Sequence, residues 1–182
     1  MQRLKREMVF KFKIISDKVE NFVLHIDADA KNTFFELHEA IQIACNFDSS
    51  ELTTFFMADE EWDKGLEIAM YAIKSPAQPL PKIMKQTALG DLLKEQEDKL
   101  IYIFDIINQK SLFIQLNQIV MEDKLNLPIV SYNKGVSPAQ NTINRYNSDL
   151  LAEHDSELQN VFTDFGELED LNLIYGEIGE VM

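Results

Sequence analysis

Phe10, Phe12 and Ile14 alternate with Lys11 and Lys13, the two-residue period of a strand with one buried face. A second alternation, Phe22, Leu24 and Ile26, follows Ser16-Asp17-Lys18, and the two segments read as a hairpin. The period then changes. Phe34, Leu37, His38, Ile41, Ala44 and Cys45 recur every three or four residues, which is one apolar stripe of a helix. Thr33 and Glu36 have the spacing of a capping box, in which each side chain takes an orphan backbone N–H of the first turn. The stripe ends near Asn46, because Asp48-Ser49-Ser50 is turn material.

Two further strands are expected at 52–58 and 66–73, joined by the acidic turn Asp59-Glu60-Glu61-Trp62-Asp63. Residues 75–81 hold Pro76, Pro79 and Pro81 and read as an extended connector, and 88–94 as a short helix. Segments 100–107 and 112–121 are strongly apolar and predict a second hairpin at the centre of the sheet. Residues 127–140 are expected to form a loop, stiffened by Pro128 and Pro138 and bent at Gly135. The expected fold is α+β: a mixed or antiparallel sheet of five or six strands, with the capped helix packed on one face. The core is assigned to residues 1–146 and an acidic, partly helical or disordered tail to 147–182.

Composition agrees with a folded core. Hydrophobic residues make up 46% of the 182, including twelve Phe, too many for a disordered chain. Charge is uneven. Ten acids and no Lys or Arg lie from Asp149 onward, so of a net charge of −14 only −4 belongs to the residues before it. The tail mixes these acids with Leu158, Val161, Phe162, Phe165 and Leu168, suggesting a short amphipathic helix and a flexible end. Its composition favours a solubilising extension, with a protein-binding segment as the alternative. An acidic body repels phosphate backbones, which disfavours nucleic acid as a partner. The cluster Arg3, Lys5, Arg6, Lys11 and Lys13 reads as the solvated side of an edge strand and its lead-in rather than a basic patch. A lone cysteine, Cys45, makes no internal disulfide and suits a reducing compartment. No leader-like or membrane-spanning apolar run of roughly 18 residues is visible, and a cytoplasmic location without membrane contact is expected.

Candidate chemistry is sparse. His38 and Cys45 lie two turns apart on the helix, about 10.5 Å of rise, too far to share one metal ion directly. A hydrogen-bonded core histidine and a core thiol are the better readings. His25 is expected on the strand face opposite Phe22, Leu24 and Ile26. His154, beside Glu153, Asp155 and Glu157, lies where ordering entropy weakens any cation site. Asp59, Glu60, Glu61 and Asp63 lack the alternating ligands, turn glycine and distal Glu of a calcium loop, and read as a charged turn. There is no Gly-x-Ser-x-Gly elbow and no glycine-rich phosphate loop, and a buried Cys45 disfavours the thiolate. No residue is nominated as catalytic, cofactor-binding or metal-ligating, and no cofactor is expected.

Several stretches, in order, resemble the plasmid Ri open-reading-frame-three-like family, whose members occur on plasmids, in mobile elements and in chromosomes. They are the hairpin 9–26, the helix Thr33-Phe34-Phe35-Glu36-Leu37-His38-Glu39-Ala40-Ile41-Gln42, the segment Phe47-Asp48 to Phe55, and the strand Leu100-Ile101-Tyr102-Ile103-Phe104-Asp105. Leu89 to Leu93 precedes that strand, and Leu127-Pro128, Gly135 and Pro138 follow the family's proline loop; the likeness covers roughly residues 8–140. The polar pattern departs from it. Where the family has Phe-Gly-Asp, then Trp and His, this chain has Ile106, Ile107, Asn108, then Lys110 and Leu112, and the family's histidine before Leu52 is Glu51. Of that polar set only Asp105 remains. The resemblance therefore implies a fold more than an activity. The leading functional expectation is a non-catalytic interaction or accessory protein related to plasmid and mobile-element proteins, with a protein partner met through the acidic tail. A hydrolase-like enzyme with an acidic site comes second, and a weak nucleic-acid binder last.

Overall fold

The computed structural model describes residues 6–72 and 79–140. They form β1 (Arg6–Ser16), β2 (Val23–Asp29), α1 (Phe34–Cys45), β3 (Thr54–Ala58), β4 (Lys64–Ala69), β5 (Lys82–Ile83), α2 (Leu89–Leu92), β6 (Lys99–Asp105), β7 (Lys110–Asp123) and β8 (Ile129–Lys134). The segment 147–182, with its expected helix and His154, lies outside the described residues, as do Arg3, Lys5, Ile73 and most of the proline-rich connector.

One sheet contains all eight strands, in the order β5-β4-β3-β6-β7-β1-β2-β8. Every pairing is antiparallel except the short parallel contact of β4 with β5. The three hairpins β1–β2, β3–β4 and β6–β7 follow from the alternation, and β6–β7 occupies the middle of the sheet as expected. The strand count exceeds the five or six expected from sequence. Both additions are edges. β8 lies inside the segment read as a loop, and β5 is two residues long. All six residues of β8 are exposed, so it has no one-sided alternation to read; its hydrogen bonds to β2 create it. β4 also begins and ends earlier than the expected 66–73.

The placement of β1 needs correction too. β7 pairs along its whole length, from Arg6↔Asp123 to Ser16↔Leu112, while β2 pairs on its other side. Lys11 and Lys13 are thus on an interior strand, not an edge. A fourteen-residue β7 can pair with β6 at one end and still cover β1, and no local pattern in β1 carries that information.

Directly paired residues share a face, so Phe12, Ile14, Ile26, Leu24, Ile114 and Tyr102 line one side of the sheet. α1 lies on that side. Phe34 meets Phe55 edge-on at 5.5 Å between ring centroids, and Phe47, just past the helix, stacks on Phe104 at 4.5 Å. The predicted capping box is present: Thr33 N–H donates to Glu36 Oε2 at 2.6 Å, and Glu36 N–H to Thr33 Oγ1 at 3.2 Å. Asn46 ends the helix in the left-handed conformation, φ 54°. Thr33→Ala is expected to cost about 1 kcal/mol, read as a shifted urea midpoint with an unchanged slope.

The segment after β8 is pinned rather than loose. Gly135, at φ +83°, passes so close to the chain that a Cβ would come 2.8 Å from the Asn21 carbonyl carbon. Ser137 Oγ donates to Cys45 O at 2.8 Å, and Gln140 Nε2 to Phe104 O at 3.1 Å.

Candidate functional site

Two polar side chains of α1 are buried, His38 and Gln42, and His38 enters the seam between the helix and the sheet. His38 Nδ1 lies 2.8 Å from the Tyr102 hydroxyl and 3.2 Å from Thr53 Oγ1. The three side chains come from α1, β6 and the lead-in to β3, and His38 is only 2% exposed. Burial drives the chemistry one way. It lowers the His38 pKa to about 4, so the imidazole is neutral near pH 7. It raises the Cys45 thiol to about 12, which removes the thiolate. It also raises the Tyr102 phenol, against a smaller opposing effect of the Thr53 hydrogen bond. A neutral imidazole held between two hydroxyls satisfies a buried polar group. The expectation of a hydrogen-bonded core histidine describes it well.

Asp105, the polar residue kept from the family pattern, closes the β6–β7 turn. It is 4% exposed and accepts from Asn108 N at 3.0 Å and Asn108 Nδ2 at 2.7 Å. Lys110 Nζ stands 3.9 Å away and donates to Ala139 O and Gln140 O at 2.9 and 3.2 Å. This carboxylate fixes a turn and anchors the segment that follows β8.

The other candidates are dispersed. Asp59 Oδ1 accepts from the backbone of Glu61 and Asp63, which makes 59–63 a side-chain-capped turn. Asp98 Oδ2 likewise accepts from Lys94 N and Glu95 N. His25 faces away from the helix, its ring 5.1 Å from that of Tyr132 on β8. Lys11 Nζ bridges Glu122 at 2.8 Å and Asp27 at 3.8 Å, so part of the basic cluster is neutralised on the sheet. Among the described residues, no three His, Cys, Asp or Glu converge in a way that could hold a metal ion.

A concave feature lies on the face of the sheet away from α1. Two adjoining hollows, of about 220 and 540 Å³, share Thr54, Glu67, Pro79, Pro81 and Ile106 and so make one groove. Thr54, Glu67 and Ile103 floor it, the Pro79–Pro81 run and the Ile106–Gln109 turn wall it, and Thr53 borders one end. Thr54 Oγ1 lies 3.0 Å from Glu67 Oε1 and 3.1 Å from Ile68 O, and its single proton is shared between these two acceptors. Sequence reasoning missed this groove. Its floor was legible, since Thr54 and Glu67 each alternate with a core residue (Phe55 and Ile68), but the walls come from segments far along the chain.

These features define a class: a sheet domain with one main helix laid over it, whose His38, Tyr102 and Asp105 are hydrogen-bonded inside the fold and whose outer face carries a shallow groove. The chain belongs to the family described as plasmid pRiA4b ORF-3-like protein, which matches residues 9–161. The crystal structure of a protein of unknown function from Methanosarcina mazei Go1 is similar, with a TM-score of 0.62 at 18% identity over 98% of this chain and 94% of that one. That likeness is one of fold. Among curated proteins, none matches the chain. Among the described residues, no helix is long and apolar enough to cross a membrane.

Proposed function

We propose that this protein is a non-catalytic interaction or accessory protein, of cytoplasmic location and allied to mobile-element proteins. One observation carries the reading. The side chains best suited to chemistry, His38, Tyr102 and Asp105, are tied into hydrogen bonds that hold the helix seam and a turn. Asp59 and Asp98 hold backbone turns, and a lone Glu67 in the groove lacks a second carboxylate beside it among the described residues, so a hydrolase-like site is the second reading. The lone thiol of Cys45 is in keeping with a reducing compartment.

A protein partner is met through the acidic stretch 147–182, whose charge favours a basic surface opposite. The test is affinity capture with the full chain and with a variant whose ten acids after Ser148 are changed to their amides. The native chain is expected to retain a defined partner, and the amide variant to lose at least tenfold in apparent affinity. Failure of the native chain to retain any partner, or equal retention by both chains, overturns this route of contact. Turnover of a hydrolysable substrate by the pure protein would overturn the non-catalytic reading itself.

A further inference from the structure

We propose that the groove on the outer face of β3, β4 and β6 binds an extended segment of a partner protein, through a basic side chain flanked by apolar residues. The inference rests on the reading of the chain as an interaction protein, and it names a contact distinct from residues 147–182.

The first argument is shape. The groove follows β4, whose six residues span about 20 Å, the length of an extended segment of similar size. Beside it, β5 pairs only with Ile68 and Ala69, and the Pro79–Pro81 run that leads into β5 walls the groove beside Gly65–Glu67.

The second argument is the rim. Tyr71, Leu80 and Leu52 stand 64%, 59% and 52% exposed around the groove, an arrangement of apolar side chains that a solvated surface gains nothing from. A tyrosine so placed is a typical anchor of a protein contact.

Charge supplies the third. Glu67 is the one carboxylate lining either hollow, and it is half-buried between apolar walls. No Lys or Arg among the described residues forms an ion pair with it. A carboxylate partly removed from water attracts an ammonium or guanidinium more strongly than a solvated one does. Lys64 shares this face, because a bulge in β4 sets Lys64 opposite Ala58 and Glu67 opposite Phe56, about 7 Å apart along the strand, and its Nζ lies 5.3 Å from the centre of the Phe56 ring. The two charges suit an extended segment with a basic side chain followed two residues on, and so on the same face, by an acidic one.

The test uses the full chain and labelled, acetylated hexapeptides of sequence Leu-Val-X-Val-Asp-Leu, with X as Lys, Arg, Gln or Glu, read by fluorescence anisotropy. The Lys and Arg peptides are expected to bind at least fivefold more tightly than the Gln peptide, and the Glu peptide most weakly. Glu67→Gln is expected to bring Lys and Gln within twofold of each other while the melting temperature stays unchanged. Tyr71→Ala is expected to weaken all four peptides while keeping their order, which provides a second reading should Glu67→Gln fold poorly. Binding that ignores X, a preference that survives Glu67→Gln, or no binding by any peptide overturns the proposal. So does a response to n-butylammonium alone, with no peptide bound, since that marks a small-amine site. A partner captured from cells whose retention is insensitive to Glu67→Gln also overturns the groove, yet leaves the interaction reading standing.

Discussion

Replacing Tyr102 by alanine is expected to remove about 3–5 kcal/mol of stability, enough to leave a domain of this size largely unfolded at 37 °C. The ring is fully buried, packs 4.7 Å from Phe55 between centroids, and lies under His38. Truncation would open a cavity in the central strand and take away the shorter of the two hydrogen bonds to His38 Nδ1. Tyr102→Phe separates the two contributions. It keeps the packing and leaves Thr53 as a partner for the imidazole, so a loss of only about 1–2 kcal/mol is expected. Urea unfolding of both variants checks the ratio. Equal losses would show that the hydrogen bond, not the packed ring, holds the seam.

His38 makes stability depend on pH in a defined direction. Its pKa is about 4 in the folded protein against 6.5 for an ordinary histidine, and burial is the cause. Between those values the unfolded chain binds a proton that the folded chain refuses, so acid favours unfolding. The contribution of the neutral imidazole is complete above pH 6.5, falls as pH drops below it, and is lost by about pH 4. The full change is about 3 kcal/mol. His38→Gln cannot titrate, and the stability difference between the native protein and this variant is expected to be flat above pH 7 and to shift against the native protein on acidification. A difference that stays constant from pH 7 to 4 would mean the imidazole is solvated in the folded state.

Both expectations come from a seam whose halves were unequally visible in the sequence. The helix was plain: Phe34, Leu37, His38, Ile41 and Cys45 mark one face, and Thr33 with Glu36 marks where it starts. Tyr102 belonged to an apolar run, Leu100 to Phe104, that announced a buried strand. The contact between them was not visible, because residues 38 and 102 are brought together only by closing a long loop through β3, β4 and β5. Asp105 shows the opposite case. It stood out as the survivor of a polar motif with no role assigned to it, and its bonds to Asn108 make it a turn residue.

The sheet divides along the same line. Six strands were legible because each alternates or runs apolar over a few residues, and that period is set by the backbone of the strand itself. β8 was hidden, since an edge strand exposed on both faces needs no apolar period, only a neighbour with unpaired backbone groups. The interior position of β1 was hidden for a related reason. Lys11 and Lys13 face outward as the alternation says, but whether a second strand lies beside them depends on β7, a hundred residues downstream.

The amino-acid order by itself determined which residues are buried, where the main helix begins and ends, which neighbouring strands form hairpins, and to which family the chain is kin. The tertiary structure alone decided the order of the strands, the neutral state of His38 and the groove around Glu67. The division has one physical cause: backbone periodicity and capping are local and recorded in adjacent residues, while strand neighbours, desolvation and concave surfaces arise only when distant segments meet.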